Sequence, residues 1–179
     1  MNPTIDTITL GGGCFWCVEA VFERVRGVTA VESGYCNGAV LNPTYEQVCG
    51  GDTGHAEVVR VSFDSAQITL REVFEIFFVV HDPTTLNRQG NDAGTQYRSG
   101  IYFTSPAQQA VASEVLAEVN AHHQGHAVTE LLAETNYTRA ESYHQHYFAN
   151  HPSQGYCAMV VAPKVEKFKK TFANRVLPA

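Results

Sequence analysis

The chain has 179 residues, of which 44% are hydrophobic and 17% charged, a composition that excludes a disordered chain and predicts one domain over residues 1–179. The formal net charge of −6 argues against nucleic-acid binding, which needs a basic surface. The apolar runs are too short for a membrane span, and Met1 to Thr4 contain no basic region of a secretory leader. With an odd number of cysteines, five, these features predict a cytoplasmic protein without a disulfide framework.

Hydrophobic periodicity predicts strands and helices mixed along the whole chain. Strands are predicted over residues 5–10, 28–33, 57–63, 101–104, 128–133 and 156–161. Helices are predicted over residues 14–25, 69–80, 106–122, 140–149 and 163–175, with a short helical turn over residues 45–48. Residues 81–99 form a long polar segment, which we interpret as a functional loop because it is rich in hydrogen-bonding side chains. The mixture of both element types predicts the α+β class.

A reactive thiol is predicted at Cys14, which follows Gly11, Gly12 and Gly13 and opens the first helix. The glycines allow a sharp strand-to-helix turn and the close approach of a ligand. Unpaired amides and the dipole at a helix start stabilise a thiolate, so we expect the pKa of Cys14 to be lowered. Cys17 lies one helical turn later, close enough to Cys14 for a disulfide.

Phe15 and Trp16 lie between these two cysteines, and Trp16 is the only tryptophan of the chain. An aromatic wall beside a thiolate suits a small apolar or sulfur-bearing group, because sulfur and methyl groups pack well against rings. The alternative is that both rings are core residues and both cysteines are small buried hydrophobes. The triple glycine and the helix start favour the functional interpretation.

Further motifs follow in order, and together they cover nearly the whole chain. They are Asn42-Pro43-Thr44-Tyr45, Thr53-Gly54-His55-Ala56-Glu57, His81-Asp82-Pro83, Arg88-Gln89-Gly90-Asn91-Asp92, Gly94-Thr95-Gln96-Tyr97-Arg98-Ser99, Tyr143-His144-Gln145 and Gly155-Tyr156-Cys157. With Gly13-Cys14-Phe15-Trp16-Cys17, they resemble peptide methionine sulfoxide reductase A, a family that acts on the S epimer of methionine sulfoxide. The resemblance implies a mixed sheet packed by helices in a two-layer sandwich with a ferredoxin-like core.

The resemblance also implies roles for the matching residues. Cys14 would attack the sulfoxide sulfur, while Phe15 and Trp16 would hold the S-methyl group. Glu57 would be the acid at the sulfoxide oxygen. A carboxyl that is partly buried near an apolar cage has a raised pKa, so it can carry a proton near neutral pH.

Tyr45 and Tyr97 would donate hydrogen bonds to the same oxygen, and Asp92 would orient the neighbouring groups. Cys14 would become a sulfenic acid, a second thiol would condense with it to a disulfide, and thioredoxin would reduce that disulfide. The implied substrates are free methionine sulfoxide and oxidised peptides or proteins. The resemblance implies neither a metal nor an organic cofactor, and we expect a monomer.

The sequence leaves open which thiol resolves the sulfenic acid. Many relatives have Gly where this chain has Cys17, and many carry further cysteines on a flexible glycine-rich tail. Cys17 has proximity to Cys14, whereas Cys157 resembles the resolving position of the family but lies in a predicted strand. Both remain candidates, either alone or in a relay. Cys36 is interpreted as incidental, and Cys49 is predicted to be a small buried residue.

Two other functions fit part of the pattern. Cys14-x-x-Cys17 also occurs in general disulfide oxidoreductases, which need no carboxylate and phenols beside the thiol. The same cysteines would be able to hold zinc with His144, His146 or Cys157, although structural zinc sites usually come as two close ligand pairs. Activity on protein disulfides but not on methionine sulfoxide would support the first alternative. Metal analysis of the reduced protein would test the second.

Overall fold

A computed structural model describes residues 4–178. Met1–Pro3 and Ala179 lie outside the described residues. The prediction that the chain carries no secretory leader rests in part on Met1–Pro3. The strands are β1 (Ile5–Gly12), β2 (Val28–Cys36), β3 (Ala56–Asp64), β4 (Arg88–Gln89), β5 (Asp92–Ala93), β6 (Ser99–Phe103), β7 (Glu130–Ala133) and β8 (Thr138–Arg139). The helices are α1 (Phe15–Phe22), α2 (Tyr45–Cys49), α3 (Leu70–Val80), α4 (Pro106–His122), α5 (Tyr147–Asn150) and α6 (Ala162–Thr171). A π-helix (Cys157–Val161) precedes α6, and 3-10 turns cover Thr95–Tyr97, Ser142–His144 and Ala173–Arg175.

Six strands form one sheet in the order β7-β6-β1-β3-β2-β8. Within it, β1 pairs antiparallel with β3 and β6, and β2 pairs antiparallel with β3. The units β1-α1-β2 and β3-α3-β6 therefore interleave in the order β6-β1-β3-β2, which is the ferredoxin-like arrangement. After the crossover through α4, β7 pairs parallel with β6, so the sheet is mixed. The predicted α+β class and mixed sheet are confirmed.

Alternate residues of the inner strands face a layer of helices on one side of the sheet. Ile8 and Leu10 of β1 and Val61 of β3 are buried in one core with apolar residues of α1, α3 and α6. The intervening positions face the other side, where the hydroxyls of Thr7 and Ser62 lie 3.1 Å apart. No helix within residues 4–178 is long and apolar enough to cross a membrane.

Two predicted elements are wrong. Residues 156–161, predicted as a strand, form the π-helix that runs into α6. Residues 140–149, predicted as one helix, are divided because Gln145 is extended and His146 has a left-handed φ of 55°. The side chain of Gln145 pairs with both backbone groups of Ser33, which holds this segment against β2.

Candidate active site

A turn that favours glycine joins β1 to α1 and sets the position of Cys14. Gly13 has a φ of +92°, and a Cβ placed on it would lie 2.6 Å from the Gln89 side chain. Cys14 follows as the N-cap of α1, and its carbonyl accepts a hydrogen bond from the N–H of Cys17 at 3.1 Å. Both cysteines therefore lie on one helical turn at the end of an inner strand.

The thiols of Cys14 and Cys17 lie on one helical turn, and each shifts the pKa of the other. Burial raises the pKa of Cys14 well above its usual value, and the neighbouring Cys17 and Glu57 groups raise it further. The interaction with the Cys14 thiol, together with the charge of Lys164, lowers the pKa of Cys17 to about 7. The predicted lowering of the pKa at Cys14 is therefore wrong, because burial outweighs the effect of the helix start.

The remaining cysteines differ in burial and position. Cys157 is fully buried at the start of the π-helix, in the same core as Cys14 and Cys17, and burial raises its pKa. Cys36 is buried in a separate small cluster. Cys49, predicted to be buried, is exposed on α2. Among the other four cysteines, Cys17 is the one on the same helical turn as Cys14.

Glu57 on β3 brings a buried carboxyl to the thiol pair. Its Oε1 accepts the N–H of Phe15 at 3.1 Å, whereas its Oε2 has no hydrogen-bond partner among residues 4–178. Burial raises the pKa of Glu57 to about 8, and the charges of Asp92 and Cys17 act in the same direction. At neutral pH the carboxyl is therefore mostly protonated and has a proton to donate.

Two tyrosine hydroxyls lie within electrostatic reach of this carboxyl. Tyr45 opens α2, and its N–H donates to the Glu141 carboxylate at 2.9 Å. Tyr97 ends the 3-10 turn that follows β5. Burial raises the pKa of both phenols, and the Glu57 charge is a further cause for each. Both hydroxyls therefore remain protonated donors near neutral pH.

The aromatic wall beside the thiols is built from two distant parts of the chain. The Trp16 indole stacks on Tyr147 with ring centroids 3.8 Å apart and an interplanar angle of 6°. Its Nε1–H donates to His144 Nδ1 at 3.1 Å, so neutral His144 carries its proton on Nε2. His144 also packs against Phe15, with centroids 5.0 Å apart. Phe15 is 1% exposed and belongs to the core, whereas Trp16 is half-buried.

Tyr156, which sequence reasoning did not single out, connects Asp92 with the thiol pair. Its hydroxyl donates to the Asp92 carboxylate and lies 3.8 Å from the Cys17 sulfur. Its ring meets Trp16 edge-on, with centroids 5.8 Å apart. The sequence does contain a signal for this residue, because Tyr156 directly precedes Cys157 within one of the ordered motifs.

A zinc site at the thiol pair receives no support from the described part of the chain. Among residues 4–178, the three potential metal ligands that come together are Glu19, Glu23 and His146, a group that contains neither Cys14 nor Cys17.

Comparison with known proteins points to one family. The family model described as peptide methionine sulfoxide reductase matches residues 6–176. The peptide methionine sulfoxide reductase MsrA of Polynucleobacter asymbioticus is 52% identical over 178 residues, covering 98% of this chain and 94% of the relative. The reduced form of Mxr1 from Saccharomyces cerevisiae has a TM-score of 0.79 at 37% identity, covering 86% of this chain and 89% of that one. Mxr1 in complex with Trx2 has a TM-score of 0.56 at 25% identity, covering 82% and 89%.

A general disulfide oxidoreductase, the first alternative, does not account for a match over nearly the full length. It also does not account for a protonated carboxyl and two phenols beside the thiol pair. The chain belongs to the peptide methionine sulfoxide reductase family and is an oxidoreductase.

Proposed function

We propose that this chain reduces methionine-S-sulfoxide, free or within peptides and proteins, with Cys14 as the nucleophile. The observation that carries the proposal is the meeting of a thiol pair, a protonated Glu57 and two phenols beside the Trp16 indole. A sulfoxide is a neutral dipole, so its sulfur needs a nucleophile and its oxygen needs hydrogen-bond donors. The site supplies both.

In the first step, the Cys17 thiolate takes the proton of the neighbouring Cys14 thiol, and the Cys14 sulfur attacks the sulfoxide sulfur and forms an S–S bond to it. Glu57 protonates the sulfoxide oxygen. That oxygen then moves as a hydroxyl to Cys14 while the S–O bond and the new S–S bond both break, which leaves the sulfenic acid on Cys14. Cys14 is oxidised by two electrons, and the sulfoxide is reduced to the thioether of methionine. Tyr45 and Tyr97 stabilise the negative charge that develops on the oxygen.

Phe15 and Trp16 would set the choice of epimer through the S-methyl group. The half-buried indole offers a flat apolar surface for a methyl group, while Glu57 and the two phenols supply donors for the oxygen. With the methyl group on the ring, one hand of the sulfoxide directs its oxygen to the donors and the other directs it away. This argument supports a preference for one epimer, and the resemblance implies that it is the S epimer.

Cys17 is the resolving thiol that the geometry favours. Both candidate thiols are buried, but Cys17 lies on the same helical turn as Cys14, whereas Cys157 lies on the π-helix. Condensation of the Cys17 thiol with the Cys14 sulfenic acid forms a disulfide and releases one water molecule. Cys157 packs in the same core, and it is the candidate for a relay of that disulfide.

A dithiol protein of the thioredoxin class would then reduce the disulfide by exchange. Mxr1, which shares the fold, forms a complex with Trx2, and this supports thioredoxin as the partner. Thiol chemistry alone completes the cycle, so the proposal includes no prosthetic group. We extend it to a monomeric protein that works in the cytoplasm.

Serine variants of the cysteines test the proposal, each assayed with dithiothreitol and with thioredoxin. Cys14→Ser should be inactive with both reductants. Cys17→Ser should release about one equivalent of methionine per chain but lose cycling with thioredoxin, because its sulfenic acid has no resolving partner. Cys36→Ser is the matched control and should resemble the wild type, since Cys36 lies in a separate cluster.

The outcomes separate the parts of the proposal. Ordinary activity in Cys14→Ser would overturn the assignment of the nucleophile. Loss of thioredoxin cycling in Cys157→Ser, with normal cycling in Cys17→Ser, would move the resolving role to Cys157. Equal rates on the separated S and R epimers would overturn the role of the aromatic wall in epimer choice.

A further inference from the structure

Glu19 is a buried carboxylate that the chemistry above does not use. It lies on α1, three residues after Trp16, and is 1% exposed. One carboxylate oxygen accepts the hydroxyl of Ser33 on β2 at 3.1 Å. The other accepts the N–H of Tyr147, the first residue of α5, at 3.2 Å. A single side chain therefore ties together three elements that are far apart in the sequence.

The bond to Tyr147 reaches the Trp16 indole through the tyrosine ring. The ring stacks on the indole with centroids 3.8 Å apart and nearly parallel planes. The N–H that Glu19 holds belongs to the same residue as that ring. Fixing this backbone group therefore fixes where the ring lies over the indole.

The Tyr147 carbonyl accepts the N–H of His151 at 2.9 Å, but the backbone directly before Tyr147 is not helical. The preceding His146 has a left-handed φ of 55°, which interrupts the chain between the Ser142–His144 turn and α5. The N–H groups of the first helical turn have no partner within their own helix, so the N–H of Tyr147 needs an acceptor from elsewhere. A carboxylate is a strong acceptor for such a group.

We propose that Glu19 is a positioning residue that holds the Trp16 indole in its substrate-binding orientation by anchoring Tyr147. The proposal rests on the proposed function in one respect, namely that Trp16 contacts the S-methyl group. It assigns Glu19 to the same reaction without direct contact to the substrate. Removal of the anchor should loosen the indole and weaken substrate binding more than it slows the chemistry.

The fluorescence of Trp16 tests the anchor without reference to activity, because the chain contains one tryptophan. Burial raises the pKa of Glu19 to about 7, so measurements at pH 8 examine the carboxylate form. Glu19→Ala removes both hydrogen bonds, whereas Glu19→Gln keeps the volume and weakens them. In both variants, acrylamide should quench the indole more strongly than in the wild type, with the larger increase in Glu19→Ala.

The kinetic readout separates positioning from folding. The loss of a hydrogen bond to a charged group predicts that KM for methionine sulfoxide rises about tenfold in Glu19→Ala, and about threefold in Glu19→Gln. The value of kcat should stay within about twofold, because a binding wall contributes equally to ground state and transition state.

Asp64→Asn is the matched control, another buried carboxylate changed to an amide. Asp64 accepts the N–H of Ala66 at 3.0 Å and is 7% exposed. It lies seven residues along β3 from Glu57, which places it about 23 Å away. We expect this variant to lose stability while keeping the quenching of Trp16 and the KM of the wild type.

Two results would overturn the proposal. One is a Glu19→Ala variant that unfolds more easily but keeps native Trp16 quenching and KM. If that variant does not fold, the other is a Glu19→Gln variant with quenching and KM unchanged. An unchanged KM in Trp16→Phe would instead refute the role of the indole in the proposed function, and the quenching comparison would still decide on the anchor.

Discussion

Replacement of Glu57 by Gln separates the chemistry that we assign to this carboxyl from its effect on stability. Burial raises the pKa of Glu57 from 4.5 to about 8, so the folded chain keeps a proton that the unfolded chain releases. Since the folded-state pKa is the higher one, the free energy of unfolding decreases as pH rises from 4.5 to about 8. At about 1.4 kcal/mol per pH unit, the carboxyl lowers that free energy by roughly 3 kcal/mol at pH 7.

Glu57→Gln is neutral at every pH and keeps an oxygen for the N–H of Phe15. We therefore expect it to be more stable than the wild type by roughly 3 kcal/mol at pH 7, but by less than about 1 kcal/mol at pH 5. It should nevertheless form methionine about 10²- to 10⁴-fold more slowly in a single turnover, because an amide has no acidic proton to give.

Urea unfolding of both proteins at pH 5 and pH 7 measures the stability difference, and a single-turnover assay measures the chemistry. A stability difference that is the same at both pH values would refute the reasoning, because it would mean that the carboxyl titrates alike in the folded and unfolded chains. An unchanged single-turnover rate would remove Glu57 from the proton transfer.

Gly13→Ala should lower the free energy of unfolding by about 1–3 kcal/mol, because alanine is strained at this backbone conformation and its Cβ meets a side chain. Gly51→Ala, with a φ of +82° and open space around it, is the control for backbone strain alone and should lose less. Tyr45→Phe and Tyr97→Phe should each slow single-turnover methionine formation by roughly 10²-fold, and unchanged rates would contradict their role as donors.

The elements that sequence predicts best are those whose ends carry their own signals. The predicted helix over 106–122 agrees with α4, because Ser105 caps its start and Pro106 suits the first turn. The helix predicted to begin at Thr69 has that residue as its cap, with Glu72 completing a capping box. Such signals depend on a few neighbouring residues, so tertiary contacts are not needed to interpret them.

The strand predicted over residues 156–161 is wrong because a short apolar run fits a buried strand and a buried helix equally well. Cys157, Val161, Val165 and Phe168 are buried at helical intervals, and this stripe continues through Pro163. A proline crowds the carbonyl four residues earlier, and the wider turn of the π-helix relieves that crowding. Pro163 alone predicts that a helix starts at that residue. The buried stripe from Cys157 to Phe168 indicates instead that one helical segment runs through Pro163.

The part of the candidate site that is formed by neighbouring residues could be predicted from the sequence, whereas the part that depends on distant residues could not. Cys14, its aromatic neighbours and Cys17 follow one another along the chain, so their pattern could be interpreted directly. His144, which accepts the Trp16 N–H, lies 128 residues further along the chain. It reaches Trp16 because Gln145 and Tyr147 bond to Ser33 and Glu19 in the core instead of continuing a helix. No local pattern in residues 140–149 predicts that competition.

The charge state of the site at neutral pH explains why it suits a sulfoxide. Burial keeps Glu57 mostly protonated, raises the pKa of both phenols and lowers the pKa of His144, so these four groups are neutral. The charges that act on the thiol pair are one anion and one cation, Asp92 and Lys164. An anionic substrate would need a cation there, whereas a neutral dipole needs donors. Exposure of Glu57 to water would lower its pKa towards 4.5 and remove the proton from the place where the oxygen leaves. The burial that lowers stability at pH 7 is therefore the same burial that keeps the acid ready for the reaction.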